Sequence, residues 1–146
     1  MTAPPRERLY TPELLGLATG LAHWPLDEAA SLIGEARSRT CGSTIRLSLE
    51  LDDSGAIARL GMRVSACAVG QAAAAIFAEA AMGRDNMAIA DALAALEAWL
   101  EGEGAAPEWP GLAALVPARD FPSRHGAILL PWKAALDALC KADVAS

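Results

Sequence analysis

Apolar and polar residues alternate with a period of two through the middle of the chain. Ile45, Leu47, Leu49 and Leu51 alternate with Thr44, Arg46, Ser48 and Glu50, which predicts a strand with one buried face and one wet face. Asp52-Asp53-Ser54-Gly55 is turn chemistry, with Gly55 free to take positive φ. The return strand alternates Ala58, Leu60, Met62 and Val64 with Ile57, Arg59, Gly61 and Arg63. Ahead of this hairpin, Gly34 interrupts the pattern, and Asp27–Ala30 is compatible with helix. Glu35–Thr40 then reads as a short polar edge strand blunted by Arg37 and Arg39. Paired with residues 44–51, it completes a small three-stranded antiparallel sheet.

The period lengthens on either side. Thr11-Pro12-Glu13 is a helix start, with a capping hydroxyl, a proline at the first helical position and an acid at the positive end. Leu14, Leu15, Leu17, Ala18 and Leu21 follow at helical spacing, an apolar face expected to pack on the sheet, and His23-Trp24-Pro25 ends the helix. Residues 71–82 are strongly helical in composition, and Gly83 suits the position after the last turn. Asp85 or Asn86 caps the next helix, whose apolar face is Met87, Ile89, Ala90, Leu93, Leu96 and Leu100, and Gly102 stops it. Residues 102–122 carry four prolines and read as the loosest part, tacked down by Trp109, Leu112, Leu115 and Val116, with a short helical turn at 111–115. Pro131 is tolerated in a final helix that begins around residue 126 or 127, because the first four amides of a helix have no intrahelical partner. His125 then stands at the mouth of that helix, with Ile128, Leu129, Trp132, Leu136 and Leu139 on its buried face.

The predicted fold class is α+β: a three-stranded antiparallel sheet packed against an N-terminal helix and several C-terminal helices. A chain of 146 residues with 53% hydrophobic content fits a single domain over 1–146, with a loose arm at 1–9 and a Pro/Gly-rich connection at 102–122. A net charge of −6 argues against nucleic-acid binding as the main role. No apolar run reaches the length of a membrane span, and the first residues lack an apolar signal core. Three cysteines are too few for a disulfide scaffold, so a reducing cytoplasm is the expected location.

Those cysteines change the picture. The hairpin runs out and back, so it returns Cys67 towards the sheet end that Cys41 leaves. Cys67 falls where a strand hands over to a helix, and a helix N-terminus favours the thiolate, the reactive and metal-binding form. Cys41 precedes a glycine on a tight loop. Two thiolates and the His125 imidazole form an incomplete metal shell suited to zinc or iron, to which Ser43 adds a weak oxygen contact. The spacing matches neither a zinc finger nor a CxxC motif. Against this stands the bland reading, in which buried thiols simply pack. Cys140, between Leu139 and Lys141, is assigned to packing, His23 beside Trp24 and Pro25 to structure, Ala72–Ala75 to a close-packed helix face, and the acids at 97–108 to a solvated face. There is no phosphate-binding loop, nucleophile elbow or orienting group for a Cys–His hydrolase, so a conventional enzyme is not expected.

The motifs also carry a resemblance. Cys41-Gly42-Ser43, a hairpin, Ala66-Cys67-Ala68-Val69-Gly70-Gln71-Ala72, an Ala-rich helix ending Met82-Gly83-Arg84, and then Arg124-His125-Gly126-Ala127-Ile128-Leu129 succeed one another. Over roughly residues 9–140 this order resembles the IscU/SufU/NifU-N-type iron–sulfur cluster assembly scaffold family, which implies a SufE/NifU-like fold. Family members hold a transient [2Fe–2S] cluster or a zinc ion with three cysteines plus an Asp or His. Here Ser43 stands at the Asp position of Cys-Gly-Asp, and Gly126 at the cysteine of His-Cys-Ser-Ile-Leu. The resemblance thus implies a divergent member lacking the third cysteine. A thiolate and a carboxylate fewer remove two negative charges, which weakens zinc and cluster binding. Cys140 is about four turns further along the helix at 1.5 Å per residue, too far to stand in.

The resemblance implies a cysteine desulfurase and cluster-acceptor proteins as partners, and is compatible with a homodimer. Three functions follow from it. The first is a scaffold or carrier that binds or transfers a cluster or metal at Cys41, Cys67 and His125. The second is a persulfide acceptor from a desulfurase, with Cys67 as acceptor and no bound metal. The third is an interaction module that kept the fold and lost the chemistry.

Overall fold

The computed structural model describes residues 11–39 and 42–145. The expected arm at 1–9, and Thr40 and Cys41, lie outside the described residues. The elements are α1 (Pro12–Ala18), β1 (Leu32–Arg37), β2 (Thr44–Leu51), β3 (Ile57–Ser65), α2 (Ala68–Ala81), α3 (Asn86–Leu100) and α4 (His125–Ala145), with 3₁₀ turns at Thr19–His23, Leu112–Asp120 and Pro122–Arg124. The fold is α+β, with one antiparallel sheet in the order β1-β2-β3.

The first strand lies earlier in the chain than expected, at Leu32–Arg37, and Gly34 is inside it. The reason is tertiary. A Cβ on Gly34 would stand 2.0 Å from the Ala134 carbonyl oxygen and 2.9 Å from the Ala138 Cβ. At this point the α4 backbone is pressed directly onto β1, and only glycine leaves the room. Asp27–Ala30 is turn rather than helix.

The hairpin forms where the alternation placed it, with Thr44 opposite Ser65 and Glu50 opposite Arg59. One detail departs. A bulge at Glu50/Leu51 pairs Leu51 with Ile57, so Ile57 turns into the core while Ala58 is exposed. The turn is tied by Asp52, whose carboxylate accepts hydrogen bonds from Ser54 N–H at 2.9 Å, Ser54 Oγ at 2.6 Å and Ala56 N–H at 3.1 Å. Ser48, on the outer face, is nonetheless buried. The chain from Trp24 to Asp27 folds over the edge of β3, where Met62 N–H donates to the Trp24 carbonyl at 2.9 Å. It then reaches the outer face, where Asp27 N–H donates to Ser48 Oγ at 3.1 Å.

Helix α4 covers β1 and β2, and α2 packs against β3 and α4. The α1 helix is capped by Thr11, which accepts from Leu14 N–H, as its sequence predicts. It packs on α2 rather than on the sheet, and Leu15 is exposed. The alanines of α2 explain its central place. Ala72, Ala73, Ala74 and Ala75 are all buried, in a helix that packs against α1, α4 and β3. In α3, capped by Asp85, the buried residues are Ile89, Ala92, Leu96, Trp99 and Leu100, whereas Met87 and Ala90 face water.

The 102–122 segment is more ordered than its composition suggests. Its 3₁₀ turn runs over Leu112–Asp120, with Leu112 and Leu115 buried and Val116 exposed. Trp109 anchors it: its ring stacks on Phe77 at 5.4 Å and meets Trp132 edge-on at 5.3 Å, while its Nε1–H donates to the Ile76 carbonyl at 2.9 Å. The Arg84 guanidinium covers the same ring at 4.0 Å.

Candidate functional site

Thr44 and Ser65 are the last residues paired in the hairpin, and the two thiol-bearing segments leave the sheet from this one end. On the β1–β2 side, Ser38 N–H donates to the Ser43 carbonyl at 2.8 Å and Gly42 N–H donates to the Ser38 carbonyl at 3.1 Å. Gly42 takes φ +69°, in the left-handed region that favours glycine. Ser38 and Ser43 are both buried. Cys41 lies outside the described residues, next to Gly42 in the chain.

On the β3 side, Cys67 is the N-cap of α2 and makes no capping hydrogen bond through its side chain. The thiol is free and half-buried, packed against the edge of the core. Its backbone is held tightly. The Cys67 carbonyl accepts from Gln71 N–H at 2.9 Å, and Gln71 Nε2 donates to the Ala66 carbonyl at 2.8 Å. The helix begins at Ala68, three residues earlier than its alanine run suggests, because Gln71 clamps the turn.

The mouths of α2 and α4 sit side by side. A Cβ on Gly70 would lie 2.7 Å from the Ala66 Cβ and 3.2 Å from the Ala127 Cβ, so the first turns of both helices touch there. His125 is the first residue of α4. The helix starts at the residue before the expected 126–127, and Pro131 falls inside it. His125 Nε2 is 2.9 Å from the Arg119 carbonyl oxygen. A carbonyl only accepts, so Nε2 carries the proton and the lone pair of the neutral ring is on Nδ1. Metal-binding imidazoles are commonly oriented in this way, one ring nitrogen donating to a carbonyl while the other keeps its lone pair. Arg119 is itself fixed: its Nε donates to the Trp99 carbonyl at 3.1 Å and its guanidinium lies 4.8 Å from the Trp99 ring centroid. Nothing in the sequence marks Arg119 for this part, since it sits among prolines and alanines with no motif around it.

Of the residues singled out from sequence, Cys67 and His125 lie at adjoining helix mouths, and Ser43 is buried in the neighbouring loop. Cys140, expected to pack, is instead exposed, because α4 turns its Ala138-Leu139 side to the core. His23 is exposed and meets Trp24 edge-on at 6.0 Å. Among the described residues, no group of three or more His, Cys, Asp or Glu is placed to share a metal ion. None of their helices is long and apolar enough to cross a membrane.

No protein-family model and no curated protein sequence matches this chain. Solved structures do. The N-terminal part of a nitrogen-fixing NifU-like protein from Brucella abortus superposes with a TM-score of 0.87 at 25% identity, covering 98% of this chain and 100% of that one. A putative iron–sulfur cluster assembly scaffold protein for the SUF system from Fervidobacterium islandicum gives 0.78 at 20% identity, covering 90% and 96%. The chain resembles the NifU-like and SufU proteins and has their fold. Within this NifU-like fold, the positions that the motifs assign to a third cysteine and an aspartate hold Gly126 and Ser43. Gly126 directly follows His125 in the first turn of α4, and Ser43 directly precedes β2.

Proposed function

We propose that this protein is an iron–sulfur cluster assembly scaffold-like protein and not a conventional enzyme. Its cargo is a transient [2Fe–2S] cluster, iron or zinc, held by Cys41, Cys67 and His125. The observation that supports this best is the pairing of the α2 and α4 mouths at Gly70 and Ala127, in a fold shared over 98% of the chain with a NifU-like protein. Cys67 supplies a thiolate from the α2 N-terminus and Cys41, next to Gly42 in the chain, a second. His125 supplies Nδ1, held in that tautomer by the Arg119 carbonyl. Ser43 is at most a weak oxygen donor. With Gly126 where the family has a thiolate, the shell is completed by an external thiol, a second copy or a partner. A cysteine desulfurase as sulfur source, cluster acceptors as recipients, and a reducing compartment such as the cytoplasm follow from the same reading.

The test is iron, zinc and acid-labile sulfide analysis of anaerobically purified protein beside Cys41→Ala and Cys67→Ala. Iron and sulfide that disappear in both variants are the expected result. Full loading of the Cys67→Ala protein sinks the proposal. Gly126→Cys is expected to raise occupancy by restoring a thiolate.

The free Cys67 thiol, which makes no capping hydrogen bond, favours one second reading, persulfide acceptance. The Cys67 thiolate attacks the outer sulfur of a donor persulfide, a new S–S bond forms at Cys67, the donor S–S bond breaks, and the donor leaves as its thiolate. Cyanolysable sulfur on the wild type but not on Cys67→Ala, with no metal bound, is its signature.

A further inference from the structure

The outer face of the sheet carries a groove of about 460 Å³, lined by Glu35, Arg37, Thr44, Arg46, Arg63 and Ser65 among others. In a chain of net charge −6, three of these six side chains are cationic and one is acidic. The arginines are poorly served by their neighbours. Arg46 and Arg63 face each other directly across β2 and β3, a like-charge pair that is unfavourable unless an anion stands between them. Glu28 is the shared counter-charge, yet its carboxylate is 3.7 Å from Arg46 Nε and 3.7 Å from Arg63 Nη1, beyond hydrogen-bonding distance. Arg46 also pairs with Glu35 through Nη1, but its Nε is buried without an acceptor. The Arg63 side chain is 67% exposed, and Arg37 makes no ion pair among the described residues.

We propose that this groove docks an acidic peptide segment of a partner protein through Arg37, Arg46 and Arg63. A guanidinium presents a planar fork of donors that matches a carboxylate bidentately, so Asp or Glu side chains satisfy the donors that Glu28 leaves unmet. Strands lie about 4.8 Å apart and rise about 3.4 Å per residue, which puts the Arg37 and Arg63 Cα atoms roughly 12 Å apart. That span suits an extended segment with several carboxylates better than a single small anion. The otherwise negative surface repels the same segment elsewhere, which steers it here. The groove lies at the sheet end from which the thiol segments leave. Ser65 is two residues before Cys67, and Arg37 and Thr44 flank the loop that contains Cys41. A segment docked here holds its parent protein beside that end of the fold.

The test is fluorescence anisotropy of labelled hexaglutamate against the full chain, with hexaglutamine as the neutral control. Saturable binding that weakens as salt rises is expected, with at least a tenfold loss in Arg37→Glu/Arg63→Glu. Arg37→Gln/Arg63→Gln, the milder pair should the first fail to fold, is expected to lose about threefold or more. Lys133→Glu, exposed on α4, is expected to stay within twofold. Equal loss in Lys133→Glu, no loss in either arginine pair, or full displacement by an equal concentration of inorganic phosphate overturns the proposal. Iron and sulfide content of the arginine variants keeps the two proposals apart, since the groove can fail while the thiol site still loads.

Discussion

Single glycines and single carbonyls set the geometry of this protein. Gly34→Ala places a methyl group 2.0 Å from the Ala134 carbonyl, so α4 must lift from β1. Overpacking of this kind typically costs about 1–3 kcal/mol and, against backbone, is expected at or above the upper end of that range. Gly16 in α1 is the matched control, exposed and with nothing within 4 Å of where an added methyl group would stand. Gly16→Ala is expected to stabilise by about 0.4–1 kcal/mol. Urea denaturation of the two variants checks both signs. Gly34 was not legible from sequence as a strand residue, because nothing local distinguishes a glycine that breaks a pattern from one that admits a helix from across the fold. His125 stands at the helix mouth as expected, but Pro131 is the seventh residue of α4, past the four unpartnered amides, so the proline is not what sets that start. The carbonyl that selects the His125 tautomer was not legible, since Arg119 contributes backbone rather than a recognisable side chain.

At the scale of elements, the hairpin and the 102–122 segment respond to different stresses. The Asp52 carboxyl is held below the usual aspartate range by the Ser54 hydroxyl first, then by the Ala56 and Ser54 amides. A depressed folded-state pKa gives stability that is fully present above the ordinary aspartate value of about 3.9 and is lost as pH falls through the lower folded value. Protection of the Ser54 and Ala56 amides, taken relative to their intrinsic exchange rates at each pH, is therefore expected to fall as the pH drops below about 4, and Asp52→Asn is expected to flatten that dependence. The other segment depends on packing rather than charge. Trp109→Ala removes the stack on Phe77, the edge contact with Trp132, the bond to Ile76 and the ring beneath Arg84. A loss of about 3–5 kcal/mol is expected in chemical denaturation. The alternation of apolar residues displayed the hairpin in advance, because strand pairing is local. The bulge that turns Ile57 inward was hidden, because it answers to the loop between α2 and α3: Gly83 N–H donates to the Ile57 carbonyl and Ile57 N–H donates to the Arg84 carbonyl.

For the whole molecule, a ligand that binds only the folded state stabilises it. Under the proposed function, zinc at a hundred times its dissociation constant adds about 2.7 kcal/mol. Thermal unfolding of the wild type is expected to shift upward by several degrees with zinc and to return with a chelator. Cys67→Ala is expected to show neither change. A zinc shift that survives in Cys67→Ala places the metal elsewhere.

What rests on neighbours along the chain was readable in advance: the Thr11 and Asp85 caps, the two hairpin strands, the alanine-packed α2 and the placing of Cys67 where strand becomes helix. The motif order of the sequence also carried the resemblance that the superposed structures share. What rests on contacts between distant segments came from the folded chain. It set the start of β1, packed α1 on α2, tied down 102–122 through Trp109 and exposed Cys140. The adjoining mouths of α2 and α4 belong with these, because Gly70 and Ala127 stand 57 positions apart in the chain and meet only once the core has closed around them.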